Sequence, residues 1–170
     1  MPNQNFPTVN GHECSWSDIT IDVGIPGAEN IKVVDCEGIK HSGKVERAVS
    51  RGTSGGRPMK KTAGSVTYEA SITLTRSGLI ALITALAEAA RAIGAVRGNE
   101  VIISAVQFTV LVQHTPLGDT AVYATKLEGC SLDEDSEDNK QGNDADVIEV
   151  TLGPTSRKRK LPNGDWAVLR

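Results

Sequence analysis

The stretch "RGTSGGRPMKKT", Arg51 to Thr62, has the spacing in this chain that most invites chemistry. Gly55, Lys61 and Thr62 fit the frame G-x-x-x-x-G-K-[ST], in which backbone N–H groups cradle phosphates and a lysine neutralises them. Gly52-Thr53-Ser54-Gly55-Gly56 fits G-x-S-x-G, in which a serine on a sharp turn becomes a nucleophile. Both frames fail on context. Lys60 stands where the second glycine must let the backbone wrap the anion, and the text after Thr62 reads as a strand, not as a helix N-terminus pointing at a phosphate. The nucleophile elbow needs a strand-to-helix turn, and no Asp lies between Ser54 and His114 to complete a Ser, Asp, His order. A small serine hydrolase using Ser54 stays as the alternative from another class.

Other constellations are weaker. The acids Asp133, Glu134, Asp135, Glu137 and Asp138 are crowded, and a solvated cluster has no tuned pair for acid/base work. The same segment lacks the glycine and the glutamate that a calcium loop needs at its sixth and twelfth positions. Cys14, Cys36 and Cys130 form no CxxC, and neither His12 with Cys14 nor Cys36 with His41 has a zinc-ligand spacing. They read as reduced, small hydrophobes. The expectation is therefore no catalysis, no metal and no cofactor.

Charge is segregated along the chain. Lys40 to Lys61 holds seven basic residues and one acid, Glu46, whereas Glu128 to Glu149 holds nine acids and one base, Lys140. "RKRK", Arg157 to Lys160, restores a basic end. A basic loop can follow a phosphate backbone, but this one has no aromatic residue to stack on bases, and the whole chain carries a net charge of -3. Complementary blocks in one chain suit head-to-tail self-association instead, since each copy brings a patch for the next.

The elements that must position these groups are mostly strands. "ITIDV", "IKVVDCE" and above all "SVTYEASITLT", Ser65 to Thr75, alternate apolar and polar residues as half-buried antiparallel strands do. Residues 38–64 between them read as a long irregular loop. At Ser77, read as the N-cap, the period becomes helical over about 77–93, with Leu79, Leu82, Ile83, Leu86, Ala90 and Ile93 on one face and Gly94 at the C-cap. The opposite face is alanine-rich and poor in charge, so it calls for cover. Val101 to His114 reads as one long strand, turned by "TPLGD" into a partner at 120–132, and "DVIEVTLG" is a last strand. The end reads as a basic linker closed by an apolar tag at Trp166 to Leu169. At 170 residues the chain suits one domain. No apolar run reaches the roughly 18 residues of a membrane span, and the start lacks signal-peptide regions, so a soluble chain made in the cytoplasm and without a membrane partner is expected.

The order of parts is informative. A strand "SVTYEASITL" runs straight into an apolar helix "SGLIALITAL" after a long basic loop, and "ATKLEGCSL" leads through an acid-rich hairpin into "VIEVTLG". This resembles the tail tube proteins of bacteriophages and, more distantly, the tube proteins of type VI secretion and contractile injection systems. The resemblance runs from about Ile19 to Leu152. It implies a mainly β fold, two packed antiparallel sheets forming a sandwich or short barrel, flanked by one helix. It implies an arm at 1–14, a single tube domain at 15–153 and a basic extension at 154–170 that the family pattern does not include.

Functionally, the resemblance implies a structural subunit of a virion tail, made in the bacterial host cytoplasm. Homohexameric rings stack into a tube whose lumen conducts DNA during ejection without binding it. Sheath, tape-measure, baseplate and terminator proteins are the implied partners. The alternative within the architecture is an injection-system tube carrying protein effectors. The expected inter-ring or inter-subunit contacts are Arg47, Arg51, Arg57, Lys60 and Lys61 against Asp133, Glu134, Asp135, Glu137 and Asp138, with Trp166 as a further strap.

Overall fold

A computed structural model describes residues 8–9, 12–13, 19–27, 30–33, 36–47, 49–51, 58–61, 64–115, 123–137 and 147–168. Ser54, Arg57 and Asp138 lie outside these. The strands in chain order are β1 (Thr8–Val9), β2 (His12–Glu13), β3 (Ile19–Gly24), β4 (Ile31–Val33), β5 (Cys36–Val45), β6 (Val49–Arg51), β7 (Pro58–Lys61) and β8 (Val66–Thr75). Helix α1 (Arg76–Ala92) follows. Then come β9 (Val96–Arg97), β10 (Glu100–Val101), β11 (Phe108–His114), β12 (Tyr123–Cys130), β13 (Leu132–Glu137), β14 (Val147–Leu152), β15 (Ser156–Lys160) and β16 (Trp166–Val168).

Two antiparallel sheets carry the fold, one of six strands in the order β16-β15-β12-β11-β3-β4 and one of four in the order β13-β14-β8-β5. Neither closes on itself, so of the two expected forms the chain adopts the open sandwich. The alternation read in Ser65 to Thr75 sets the inner face: Ala70, Ile72 and Leu74 are buried, while Thr67 and Glu69 are exposed. Ile21 and Val23 of β3, Phe108 and Val110 of β11, Leu127 and Cys130 of β12, and Ile148, Val150 and Leu152 of β14 join them in one core. Each fully buried large side chain contributes about 1.5–3 kcal/mol of transfer free energy. Among the described residues no polar or charged side chain is fully buried.

Helix α1 follows β8 with no intervening loop, which corrects the cap. Thr75, the last residue of the strand, keeps an extended conformation, and its Oγ1 accepts from the Gly78 N–H at 3.3 Å. Ser77 falls inside the first turn. The helix buries Leu79, Leu82, Leu86, Ala89 and Ala90 in the core. Its end is set by Gly94 at φ 75°, a conformation glycine adopts without strain, with Ala95 donating back to the Ala90 carbonyl at 2.8 Å. Ile93 therefore sits beyond the last turn and is 59% exposed, not on the buried face.

Three sequence readings change. The stretch read as irregular from residue 38 is largely strand: β5 pairs with β8 along its whole length, from Cys36 opposite Leu74 to Val45 opposite Val66. Its inner face is not the apolar row a core strand normally shows (Ile39, His41, Gly43 and Val45), which is why the pattern was hidden. Val101 to His114 is not one strand, because a 3-10 turn at Ile103–Ala105 separates β10 from β11. The basic end is not a linker: β15 pairs with β12 and β16 with β15, so "RKRK" is part of the six-stranded sheet.

The two sheets meet at a corner between β12 and β13. Gly129, at φ 62°, bulges β12 where Glu128 and Gly129 lie between the pairs Val110↔Leu127 and Phe108↔Cys130. A side chain there would also run into the Thr155 hydroxyl, which donates to the Glu128 carbonyl at 3.0 Å. Gly129→Ala should therefore cost about 2 kcal/mol or more of stability, from the left-handed backbone and the collision together. Urea unfolding of the two proteins reads the difference; equal midpoints would show that the corner relaxes freely.

Candidate functional site

Among the described residues the four-stranded sheet has two free edges of opposite character. At one edge β13 presents Asp133, Glu134 and Asp135, all exposed. At the other edge β5 presents exposed Lys40 and Lys44. Across the outer face the registers align Glu134, Thr151, Ser71 and Lys40 in one row, so a polar, Ser/Thr-rich surface joins the acidic edge to the basic one.

The sheet is also polarised from end to end. Beyond Val45 and Val66 the ladder continues with the Glu46 N–H donating to the Ser65 carbonyl at 2.9 Å, and the excursion carrying the β6–β7 hairpin leaves from there. Arg47 follows β5, Arg51 ends β6, and Lys60 and Lys61 end β7, with Arg47 and Lys61 exposed. Glu137 ends β13 at the opposite end, level with Ile148 and Leu74. Among the described residues the strands that carry the predicted bases and acids do not meet within one chain: β14 and β8 separate them, and the bases lie beyond the Val66 end of β8 while Glu137 is level with Leu74 at the other. Trp166 starts β16 opposite Lys160 and is 40% exposed.

The basic end of the chain is held in the sheet by one carboxylate. Lys126 and Lys158 face each other across β12 and β15, and Glu128 binds both, at 2.9 Å and 2.5 Å. Lys158 first, then Lys126, holds the Glu128 carboxyl below the usual carboxylate range. On the other side of β15, Arg157 and Arg159 point toward His41 of β5. Burial first, then the two guanidiniums, keeps His41 from protonating at its ordinary pH. Sequence reasoning missed His41, Arg157 and Arg159 as a group. Asn163-Gly164 between two strand-like runs was the available signal, since that pair marks a tight turn. Here the turn is closed by Leu161 donating to the Asp165 carbonyl at 2.8 Å.

Little in the described residues offers chemistry. No group of three or more His, Cys, Asp or Glu among them is placed to hold a metal ion. The Cys130 thiol is pushed up to about 12, chiefly by burial, and it packs as an apolar group in the core. Lys60 and Lys61 lie on a strand, and α1 begins fifteen residues after Lys61, so the phosphate-loop frame has no helix to serve it.

The backbone is similar to that of several solved assemblies. A chain of the sheath–tube complex of an extracellular contractile injection system, PVC, in its extended state matches with a TM-score of 0.58 and 13% identity over 92% of this chain and 93% of that one. A chain of the six-fold symmetrised baseplate of the anti-feeding prophage matches with a TM-score of 0.58 and 10% identity, over 92% and 97%. The SPP1 tail tube matches with a TM-score of 0.55 and 13% identity, over 86% and 78%. No protein-family model and no curated protein sequence matches the chain. The fold is thus the one found in tube proteins of phage tails and contractile injection systems.

Glu128 supplies a pH test. Its folded carboxyl is more acidic than an unfolded one, so its contribution is complete above the ordinary carboxylate range and is lost as pH falls through the folded value. Glu128→Gln should lower stability by about 1 kcal/mol at neutral pH, partly because Lys126 and Lys158 then repel. Urea unfolding at pH 7 and pH 3 should show the gap closing on the acid side; a gap of equal size at both would assign the loss to packing.

Proposed function

We propose that this chain is a structural, non-catalytic subunit of a phage tail tube, that six copies close into a ring, and that rings stack around a bore conducting DNA. The observation that carries this reading is the likeness, across 86% to 92% of the chain, to components of three tube-bearing assemblies. The two free edges of the four-stranded sheet supply a means of closing the ring. Successive strands β13, β14, β8 and β5 alternate in direction, so a neighbour's β5 set beside β13 by rotation about an axis along the strands continues the antiparallel order. An exposed edge strand is a template for pairing, and here acid on one edge meets base on the other.

In this arrangement the Ser/Thr-rich outer face lines the bore, where Glu69, Glu134 and Glu149 outnumber Lys40 and Lys44 and disfavour phosphate binding. Stacking uses the other polarity. The hairpin bases Arg47, Arg51, Arg57, Lys60 and Lys61 leave one end of the ring and meet Glu137 and Asp138 at the opposite end of the next, with Asp133 and Glu134 further along the same strand. The exposed Ile80, Ile93, Val96 and Ile102 on and after α1 are apolar surface that assembly removes from water. Sheath, baseplate, tape-measure and terminator proteins are the partners such a tube requires, and the virion tail is its place.

A protein-carrying injection tube is the second reading. It is favoured by coverage of 93% and 97% of the injection-system chains against 78% of the SPP1 chain. Negative-stain electron microscopy of the purified chain should show rings or stacked rings; a monomer at every concentration overturns the reading. Lys60→Glu with Lys61→Glu should leave rings but abolish tubes at physiological salt, and tubes from that variant would move the ring-to-ring contact elsewhere. Labelling by a serine-directed probe would instead favour the hydrolase alternative at Ser54.

A further inference from the structure

The inner surface of the sandwich changes character on the side where β15 lies over β5. Arg157 is registered with buried Leu127 and Arg159 with Thr125, so both guanidinium-bearing side chains share the core-facing side of the six-stranded sheet. His41 is registered with buried Ala70 on the facing sheet. The Nδ1 of His41 and the Nε of Arg157 are shut off from solvent with no hydrogen-bond partner. Among the described residues no carboxylate forms an ion pair with Arg157, Arg159 or His41. Polar groups withdrawn from water without partners are costly, and two arginines beside a histidine raise that cost by repulsion.

Beside this cluster lies a cleft of about 330 Å³ lined by Arg157, Arg159, Ala167 and Val168. Its shape follows from unequal sheet widths. The six-stranded sheet continues past β15 to β16, whereas the four-stranded sheet stops at β5. Among the described residues this slot is lined from β15 and β16, and its two arginines are near enough to His41 of β5 to act on it.

We propose that this slot is a socket for β13 of a second copy of this chain, and that Asp135 is the residue that fills it. Asp135 is registered with buried Val150, so it belongs to the inward-facing row of β13, yet it is exposed because β13 is an edge. Through Val150, Ile72 and Ile39 it lies at the level one inward-facing position away from His41. With the strands set parallel to the ring axis, rotation shifts nothing along them, and the neighbour's Asp135 then arrives at that level. The carboxylate then pairs with the guanidinium groups of Arg157 and Arg159 that line the cleft, and so relieves their mutual repulsion beside the shut-off nitrogens of His41 and Arg157. This inference rests on the ring reading and names the contact that fixes which edges meet.

The test uses two exposed positions whose substitution leaves each fold intact, Asp135→Arg and Arg159→Asp. Each variant alone sets like charges together at every interface, so the concentration needed for half-assembly, read by sedimentation velocity, should rise about tenfold or more. Mixed one to one, the two variants can alternate around an even ring so that every interface again holds one acid and one base. Rings should return in the mixture at close to the wild-type concentration and contain both variants in equal amounts. If the wild type assembles and either variant alone does so equally well, or if the mixture stays dispersed, the socket is wrong while the ring reading stands. A wild-type chain that never assembles overturns both.

Discussion

Between Tyr123 and Glu137 the chain runs extended through a corner at Ser131, first as a strand of the six-stranded sheet and then as a strand of the four-stranded one. The core depends on this continuity. Leu127 and Cys130 are delivered to one wall and Leu132 to the other, with no loop whose slack could absorb an error in spacing. A polar connection would place unpaired backbone groups beside the core. The bulge at Gly129 and the Gly153 N–H donating to the Ser131 carbonyl at 3.1 Å satisfy the backbone at the turn. Once that corner is set, the spacing and relative attitude of the two walls follow, and α1 has a fixed surface to cover.

The readable parts of the sequence were those where one periodicity is followed without interruption. Val66 to Thr75 and the helix after it have clean two- and three-to-four-residue patterns, and both stand within a residue or two of where those patterns put them. What was obscured has a common cause: a position serving something other than the core. β5 shows a histidine and a glycine on its inner face, which breaks the alternation and made a ten-residue strand look like loop. β15 is basic on both faces, which reads as a solvated tail until Glu128 of β12 is seen binding Lys158 together with Lys126 of its own strand. The acids of β13 looked like a solvated stretch, yet Glu134, Asp135 and Glu137 are each paired with a residue of β14. A one-dimensional pattern cannot reveal such cross-strand neutralisation, because the partners are roughly thirty residues apart.

The irregularities cluster in one part of the molecule. A polar inner row on β5 and an acidic edge on β13 sit at the two margins of the four-stranded sheet, with the unpaired Arg157 nitrogen on β15 of the other sheet, whereas the centre, β8 and β14, is conventional. A chain optimised to be a monomer would place apolar residues at those inner positions and lysines on both edges. The charge segregation along the sequence is the one-dimensional trace of this two-dimensional arrangement. Each block is a sheet margin, and each margin is incomplete by itself.

The β6–β7 hairpin grows from the end of the β5–β8 ladder, with the Glu46-to-Ser65 hydrogen bond continuing the pairing toward its root. Its root is therefore set on the two longest strands of the sheet. A load applied at that root along the strands pulls β5 and β8 in the same direction, so the hydrogen bonds between β8 and β14 are strained in shear and must yield together. A load across the strands would open them one at a time. The same peptide groups that anchor the root thus make it a stiff tether along one axis and a compliant one across it, a mechanical anisotropy written in backbone geometry alone.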